Sequence, residues 1–198
     1  MANWTLVEGS LADGLAMRLY LAERDGKVWS ARLHDGQHPR GEDEFVWGLG
    51  GKTEWQHCRT TFPDALAAAV QQTKEYFAGK RLTFALALSM RGTLFQVSVW
   101  KELQRIPYGE QRSYGQVAEG IGHPGAFRAV GNANGRNNLP VFIPCHRVIA
   151  AGGKIGGYTG GLGLKKRLLA HEAAVLGKST VRKFEDAEGL EEMPTRSR

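Results

Sequence analysis

Cys145 is one of only two cysteines in the chain, and it stands in the stretch VFIPCHRVIAAGG, residues 141–153. A proline precedes it, and a histidine and an arginine follow it directly. Basic or cationic neighbours lower the pKa of a thiol and make it a nucleophile. Because adjacent residues of an extended chain point to opposite sides, His146 reaches Cys145 only if the chain turns there or a water bridges them. The stretch therefore predicts an activated thiol, and whether His146 can serve as its base depends on the local backbone conformation.

Other cysteine chemistries fit the sequence less well. A papain-like protease takes its base from far along the chain, and none of the local signatures of that class is present. The Cys145–His146 pair has no second pair at metal-binding spacing, and His57–Cys58 stands alone. Cys58 is interpreted as a small buried hydrophobe, and both thiols are expected to be free. We expect neither a metal nor a cofactor.

The net positive charge is concentrated around Cys145. The chain of 198 residues carries a formal charge of +6, and residues 101–172 contain ten basic and four acidic side chains. Such a one-sided field favours a polyanion such as nucleic acid, although a solvated basic face is the plainer alternative. No run approaches the ~18 apolar residues of a membrane span, and the N-terminus lacks a signal-peptide pattern. We therefore expect an intracellular protein without a membrane partner.

The first 90 residues have the pattern of a small α/β domain. Asp25-Gly26 predicts a tight turn between two strands in residues 15–33. Residues 36–55 are predicted to be loop with room for one strand, and a helix is expected from Pro63 to Gly79. Alternating apolar residues then predict a strand, namely Leu82, Phe84, Leu86 and Leu88. The domain predictions are residues 1–90, residues 91–176 and a disordered tail at 177–198.

From residue 92 the pattern changes to short helices. Thr93 with Gln96, and Ser113 with Gln116, have capping-box spacing, which predicts two helix starts. A further short helix follows the turn at residues 122–124, so residues 113–137 have the form of a helix-turn-helix. After it, residues 141–143 are predicted to be a short buried strand. A glycine-rich loop and a final helix follow, and Leu164, Leu168 and Glu172 share one side of that helix.

Three stretches together resemble one known family. IPCHRVI around Cys145 is similar to the active-site signature of the O6-alkylguanine-DNA alkyltransferases, also called methylated-DNA–protein-cysteine methyltransferases. Residues 113–137 resemble the helix-turn-helix of that family, and residues 156–172 resemble the loop and helix that close its pocket. The resemblance covers residues 92–174. It implies an α+β fold: a small ribonuclease-H-like α/β N-terminal domain and a mostly helical, winged-helix-like C-terminal domain.

The resemblance also implies a mechanism. The protein would bind duplex DNA in the minor groove, flip an O6-alkylguanine out of the stack and transfer its alkyl group irreversibly to Cys145. O4-alkylthymine would be a poorer substrate. Each molecule would act once, as a suicide enzyme without a cofactor and as a monomer. Its location would be the cytoplasm in a prokaryote or the nucleus in a eukaryote.

Individual roles carry over from the family by position. His146 would accept the thiol proton through water, Glu172 would stabilise the imidazolium, and Asn137 would hold the turn before the active-site strand. The guanine would be bound by the Tyr114 hydroxyl, the Cys145 and Val148 carbonyls, Tyr158 and the Thr159 amide. Arg128 would fill the gap left in the stack. DNA contacts are expected from seven residues: Tyr114, Ala126, Phe127, Arg128, Ala129, Gly131 and Arg136.

Several alternatives stay open at the level of sequence. Tyr114 suits helix packing, Arg128 suits a solvated helix surface, and Asn137 suits an ordinary turn. Phe127 departs from the small residue usual in the family, so it either enters the core, wedges against the DNA sugars or changes affinity. Two other functions compete: a sensor of alkylated DNA, in which another residue replaces the cysteine, and a helix-turn-helix regulator without cysteine chemistry.

Overall fold

A tight hairpin organises the N-terminal sheet. Asp25 and Gly26 both adopt positive φ, at 54° and 72°, which is what a type I′ turn requires of its two central residues. The flanking strands β2 (Ala16–Arg24) and β3 (Lys27–His34) pair antiparallel. The hairpin predicted from Asp-Gly is therefore confirmed. The computed structural model describes residues 2–35, 41–49 and 55–178.

The sheet has four strands in the order β3-β2-β1-β4. Strand β1 (Ala2–Ser10) pairs antiparallel with β2 and parallel with the short β4 (Trp55–His57). The sequence pattern did not reveal β1, because both of its faces are covered and its side chains do not alternate between apolar and polar. One face carries an aromatic cluster that comprises Trp4, Tyr20, Phe45 and Trp55.

Two helices flank this sheet. Helix α2 (Asp64–Phe77) begins after Pro63, and Gly79 follows it with φ of 69°, as predicted. Helix α1 (Gly41–Gly48) was not predicted, because its charged and glycine-rich residues were interpreted as loop. Residues 36–40 and 50–54 of that predicted loop lie outside the described residues.

The strand predicted at residues 82–88 is wrong. This segment pairs with the sheet at a single bridge between Val28 and Leu88. Phe84, Leu86 and Leu88 pack partly buried against the core, whereas Leu82 is exposed, and the ring of Phe84 packs edge-on against Phe142 with centroids 5.0 Å apart. Alternation indicates that one side of a segment packs against apolar groups, which does not require the segment to pair as a strand.

Short helices make up most of the second domain. Its elements are α3 (Leu94–Leu103), β5 (Arg112–Ser113), α4 (Tyr114–Gly120), α5 (Phe127–Gly135), β6 (Val148–Ile149) and α6 (Leu162–Val175). Both capping boxes are formed, with Thr93 capping α3 and Ser113 capping α4. The indole N–H of Trp100 on α3 donates to the Ala133 carbonyl at 2.9 Å and so fixes α5. The predicted α+β class is confirmed.

The short strand predicted at residues 141–143 is also wrong. These residues form a buried turn, in which Val141 has φ of 76° and Ile143 donates its N–H to the Leu139 carbonyl. Asn137 holds this turn from both ends, because its Nδ2 donates to the Ile143 carbonyl and its Oδ1 accepts from the Leu139 N–H, each at 2.9 Å. A buried turn and a buried strand give the same apolar run in sequence.

Apolar packing continues from the sheet into the helices. One core cluster contains Leu19 and Tyr76 from the first domain together with Val130, Phe142 and Leu168 from the second. No helix in the described residues is long and apolar enough to cross a membrane. The predicted disordered tail falls almost entirely outside the described part, which ends at residue 178.

Candidate active site

Cys145 lies where the chain turns. Residues Cys145–Arg147 form a single 3-10 turn directly after Pro144, so His146 does not simply point away from the thiol as it would in an extended chain. The cysteine is buried, with 4% of its surface exposed, and the two residues after it are buried as well. The sequence required either a turn at Cys145 or a bridging water, and the structure shows the turn.

The His146 ring is paired with a carboxylate from the last helix. Its Nε2 lies 2.8 Å from Glu172 Oε1, and both side chains are fully buried. The other ring nitrogen, Nδ1, is buried and has no hydrogen-bond partner among the described residues. An ionised carboxylate accepts hydrogen bonds only, so Nε2 carries the ring proton and Nδ1 is left as a free acceptor. This is the tautomer that a general base requires.

Glu172 has several further donors. Arg147 donates to both carboxylate oxygens from Nε and Nη2 at 2.9–3.2 Å, and Gly109 N–H donates to Oε2 at 2.9 Å. The Tyr76 hydroxyl donates to Oε1 at 3.1 Å. Burial opposes the charged carboxylate, but the imidazole and guanidinium partners outweigh it and hold the pKa of Glu172 far below its ordinary value. Glu172 is therefore ionised.

The nucleophile and its base both rest uncharged. Burial raises the pKa of the Cys145 thiol, although Asn137, Lys165 and Tyr158 each lower it. Burial also lowers the pKa of His146, against the opposing pull of Glu172. Because the thiol and the imidazole are both neutral at rest, the Cys145 proton is transferred to His146 only during the reaction.

Lys165 holds the glycine-rich loop in place. Its Nζ donates to the carbonyls of Val148 and Ile155, both at 2.6 Å, and to that of Gly157 at 3.2 Å. Burial lowers the pKa of Lys165 to about 8, partly offset by the nearby Cys145. The Lys165 ammonium therefore holds the loop through hydrogen bonds and provides a positive charge that favours the Cys145 thiolate.

Residues predicted to bind guanine surround the thiol. The Tyr114 hydroxyl donates to the Gly157 carbonyl at 3.4 Å, and burial raises the pKa of this tyrosine, so it stays a proton donor. Tyr158 lies within hydrogen-bonding reach of the Cys145 sulfur. Thr159 Oγ1 donates to the Gly135 carbonyl at 2.9 Å and ties the loop to the end of α5.

The two carbonyls predicted to bind the guanine amino group already have donors. The Val148 carbonyl accepts from Lys165, and the Cys145 carbonyl accepts from Asn134 Nδ2 at 3.3 Å. A carbonyl oxygen has two lone pairs, and the Cys145 carbonyl also accepts from the Val148 N–H, so both of its lone pairs already have donors. A guanine amino group would have to share or displace one of them.

Tyr114 begins α4, and the other predicted DNA-binding residues lie along α5 or at its two ends. Arg128 and Ala129 are exposed, Ala126 is half-buried, and Arg136 follows the last turn. Phe127 is 49% exposed, and its ring lies 5.6 Å from the Arg128 guanidinium carbon. The alternative in which Phe127 enters the core is therefore wrong.

A groove of about 1010 Å³ connects the surroundings of Cys145 with one side of α5. It is lined by Tyr114, Gly131, Arg136, Asn137, Cys145, Tyr158 and Thr159, and it continues towards β3 and α1. The buried thiol therefore opens to a space beside α5 that is large enough for a base. Within the described residues there is no cluster of three or more His, Cys, Asp or Glu side chains suited to a metal ion.

The sequence indicated the candidate reacting residues but missed their supports. Arg147, Tyr76, Lys165 and Asn134 all contact the site, and although Arg147, Lys165 and Asn134 stood in the stretches that carried the resemblance, none was assigned a role. Arg147 and Lys165 carry charge inside otherwise apolar surroundings, which is a signal that sequence offers only once burial is known. Tyr76 is far from the motif, so nothing local pointed to it.

Known proteins match both the sequence and the fold. The profile described as 6-O-methylguanine DNA methyltransferase, DNA binding domain, matches residues 94–174. The chain is 45% identical to a methylated-DNA–protein-cysteine methyltransferase of Mycolicibacterium paratuberculosis, over 84% of this chain and 93% of that one. It is 43% identical to the constitutive enzyme of that name from Bacillus subtilis, over 72% and 73%.

A solved structure extends the similarity to three dimensions. The crystal structure of Mycobacterium tuberculosis OGT in complex with DNA superposes with a TM-score of 0.69 and 39% identity, covering 87% of this chain and 94% of that one. The match includes the N-terminal sheet as well as the helical domain. At this identity and coverage, the chain belongs to the methylated-DNA–protein-cysteine methyltransferase family.

Proposed function

We propose that this protein repairs O6-alkylguanine in duplex DNA by moving the alkyl group, once and irreversibly, to Cys145. The observation that carries the proposal is the placement of a buried Cys145 thiol, with the His146–Glu172 pair beside it, at the bottom of a groove that opens along α5. The relatives named above support the alkyl transfer, and the DNA complex of one of them supports DNA as the partner.

Each proton and electron pair in the proposed transfer can be assigned to a described residue or to the guanine. The Cys145 proton passes to Nδ1 of His146 through a water, and the resulting imidazolium is stabilised by the ionised Glu172. The thiolate attacks the alkyl carbon, a carbon–sulfur bond forms, and the bond from carbon to O6 breaks. Its electron pair goes to the guanine, where the Tyr114 hydroxyl donates towards N3 as negative charge develops. The thioether is a poor leaving group, so each molecule acts once.

Base flipping follows from the depth of the thiol. With 4% of its surface exposed, Cys145 cannot reach an atom inside a base stack, so the guanine must leave the helix. Arg128 is exposed on the first turn of α5, which supports a role in filling the resulting gap. Tyr114 exchanges its weak bond to the Gly157 carbonyl for one to the base.

Close approach of the DNA to α5 explains a glycine that the fold itself does not need. A Cβ added at Gly131 would meet nothing nearer than the Tyr114 ring at 3.9 Å. The protein therefore leaves room for a side chain there, and a glycine at this position suits the close approach of a DNA phosphate or sugar to α5.

One measurement tests the proposal. The protein is incubated with a duplex oligonucleotide containing O6-methylguanine, and its intact mass is then determined. We expect a stoichiometric gain of about 14 Da on Cys145 without turnover, as covalent transfer to a nucleophile requires. Tight binding to the lesion without a mass gain would instead indicate a damage sensor. Binding that ignores the lesion would indicate a helix-turn-helix regulator.

A further inference from the structure

The carboxylate of the relay receives a hydrogen bond from the N-terminal domain. Tyr76, near the end of α2, is fully buried, and its hydroxyl donates to Glu172 Oε1 at 3.1 Å. That is the same oxygen that pairs with His146 at 2.8 Å. The Tyr76 carbonyl also lies 3.0 Å from Nε2 of His171, so Tyr76 binds two consecutive residues of α6.

The hydrogen-bond directions of this contact are fixed. His171 Nδ1 accepts from the Ala12 N–H at 3.0 Å, so its Nε2 carries the proton and donates to the Tyr76 carbonyl. Burial, together with the charge of Glu172, raises the pKa of Tyr76 well above its ordinary value. The hydroxyl is therefore a donor at every pH at which histidine titrates, and Glu172 is the acceptor.

Sharing the oxygen changes what Glu172 can do for His146. A hydrogen bond donated to a carboxylate stabilises its negative charge and weakens the attraction that remains for a neighbouring cation. We propose that Tyr76 is a positioning residue for alkyl transfer, whose hydroxyl shares Glu172 Oε1 with His146 and so keeps His146 a neutral proton acceptor. This inference rests on the proposed function, and it gives the N-terminal domain a part in the chemistry.

The other charges around His146 stay in place when this hydroxyl is removed. Glu172 on α6 raises the pKa of His146, whereas Arg147 beside it and Lys165 on α6 lower it. Arg147 and Gly109 still hold the carboxylate, so it keeps its orientation. Removal of the Tyr76 hydroxyl therefore leaves a carboxylate with more charge available to the imidazolium.

The chain offers a matched control. Tyr108 is buried, its ring centroid lies 5.9 Å from that of Tyr76, and the guanidinium carbon of Arg147 lies 5.4 Å from the Tyr108 ring. Its hydroxyl, unlike that of Tyr76, has no hydrogen-bond partner among the described residues. Tyr108→Phe thus removes a buried hydroxyl from the same cluster without removing a donor from Glu172.

The test compares full-length Tyr76→Phe, Tyr108→Phe and the parent protein. Single-turnover methyl transfer from an O6-methylguanine duplex is measured between about pH 4 and pH 8, a range that extends well below the ordinary histidine pKa because burial lowers the pKa of His146. Transfer needs neutral His146, so the rate falls as pH drops through its pKa. We expect Tyr76→Phe to move this fall upwards by about half a pH unit, which makes transfer about threefold slower on the acid side. Tyr108→Phe is expected to follow the parent.

A titration of His146 by NMR gives a second readout that does not need DNA or transfer. Its signal is assigned by its loss in His146→Gln, and we expect the same upward shift in Tyr76→Phe. An unchanged His146 titration in Tyr76→Phe, or an equal shift in Tyr108→Phe, overturns the role of Tyr76. Absence of methyl transfer by the parent protein would overturn the proposed function instead, and the titration would still decide on Tyr76.

Discussion

The relay and the exposed residues of α5 are held in opposite ways. Glu172 is fully buried and receives hydrogen bonds from the side chains of His146, Arg147 and Tyr76. On α5, by contrast, Arg128 is exposed and Phe127 beside it is half-exposed. The groups of the relay are positioned by the protein itself, whereas we expect the exposed groups on α5 to take their final geometry from bound DNA.

This difference separates the effects that substitutions should have. A preorganised buried network couples chemistry to stability, because each member satisfies another. An exposed side chain contributes little to folding, so its removal changes binding alone. Substitutions in the relay are therefore expected to alter both properties, and those on α5 only one.

The largest effect is expected at the nucleophile. Cys145→Ala should abolish methyl transfer and retain DNA binding, because the thiol is the proposed acceptor but is buried below the surface that we propose binds DNA. Intact mass and a gel-shift assay check the two parts. Cys58→Ala is the control and should transfer normally, since burial raises the pKa of that thiol too and it lies away from the groove. Loss of DNA binding in Cys145→Ala would show that the cysteine is structural.

Glu172→Gln should come next, with losses in both chemistry and stability. Removal of one partner from a buried ion pair leaves Arg147 uncompensated and costs about 3–5 kcal/mol, measured by urea unfolding at neutral pH. Transfer should slow by about 100-fold or more, the usual range for disabled acid–base catalysis. Glu110→Gln is the control, because it makes the same change at an exposed glutamate. It should alter neither the free energy of unfolding nor the rate of transfer.

The same variant tests the pH dependence of folding. The folded pKa of Glu172 lies below its ordinary 4.5, so the unfolded chain binds more protons in the window below that value. The stability that Glu172 contributes is thus present above pH 4.5 and is lost as pH falls below it. Glu172→Gln should lack this component, and an equally steep acid loss in the variant would contradict the assignment.

Arg128→Ala should have a smaller effect that is confined to DNA. We expect transfer from duplex to fall about tenfold and the salt dependence of binding to decrease by about one phosphate contact. Reaction with free O6-benzylguanine and the unfolding free energy should be unchanged, because the side chain is exposed. Lys27→Ala removes an equivalent exposed charge on the hairpin and serves as the control. Equal losses on duplex and free base would count against the role of Arg128.

Gly131→Ala should give the smallest effect and move the two properties in opposite directions. An added Cβ meets no protein atom closer than 3.9 Å, so the helix should gain about 0.5–1 kcal/mol of stability. DNA affinity should fall a few-fold, since in the proposed complex the added methyl group would meet the DNA backbone. Gly120→Ala is the contrasting case, because its Cβ would lie 2.5 Å from Glu102 Oε1 and should destabilise the protein. Unchanged DNA affinity in Gly131→Ala would show that the DNA backbone does not lie against α5 at this residue.

Local signals in the sequence were sufficient for the elements with strong turn or cap chemistry. Asp25-Gly26 specified its turn through two positive φ angles, and Thr93 and Ser113 began their helices through capping boxes. The two strands predicted from apolar runs were wrong for a shared reason. Phe84, Leu86 and Leu88 pack partly buried against the core, residues 141–143 are fully buried, and hydrophobicity records such packing without recording the backbone conformation.

By itself, the sequence determined which groups are the candidates to react. A thiol after proline, a histidine next to it and a glutamate on a distant amphipathic helix are chemical identities that need no coordinates. Only the tertiary structure decided their protonation and support. The burial of His146 and Glu172, the guanidinium of Arg147 and the Tyr76 hydroxyl from the other domain depend on contacts between residues as many as 96 positions apart. The pKa of a group is set by its neighbours in space, and those neighbours exist only after the chain has folded.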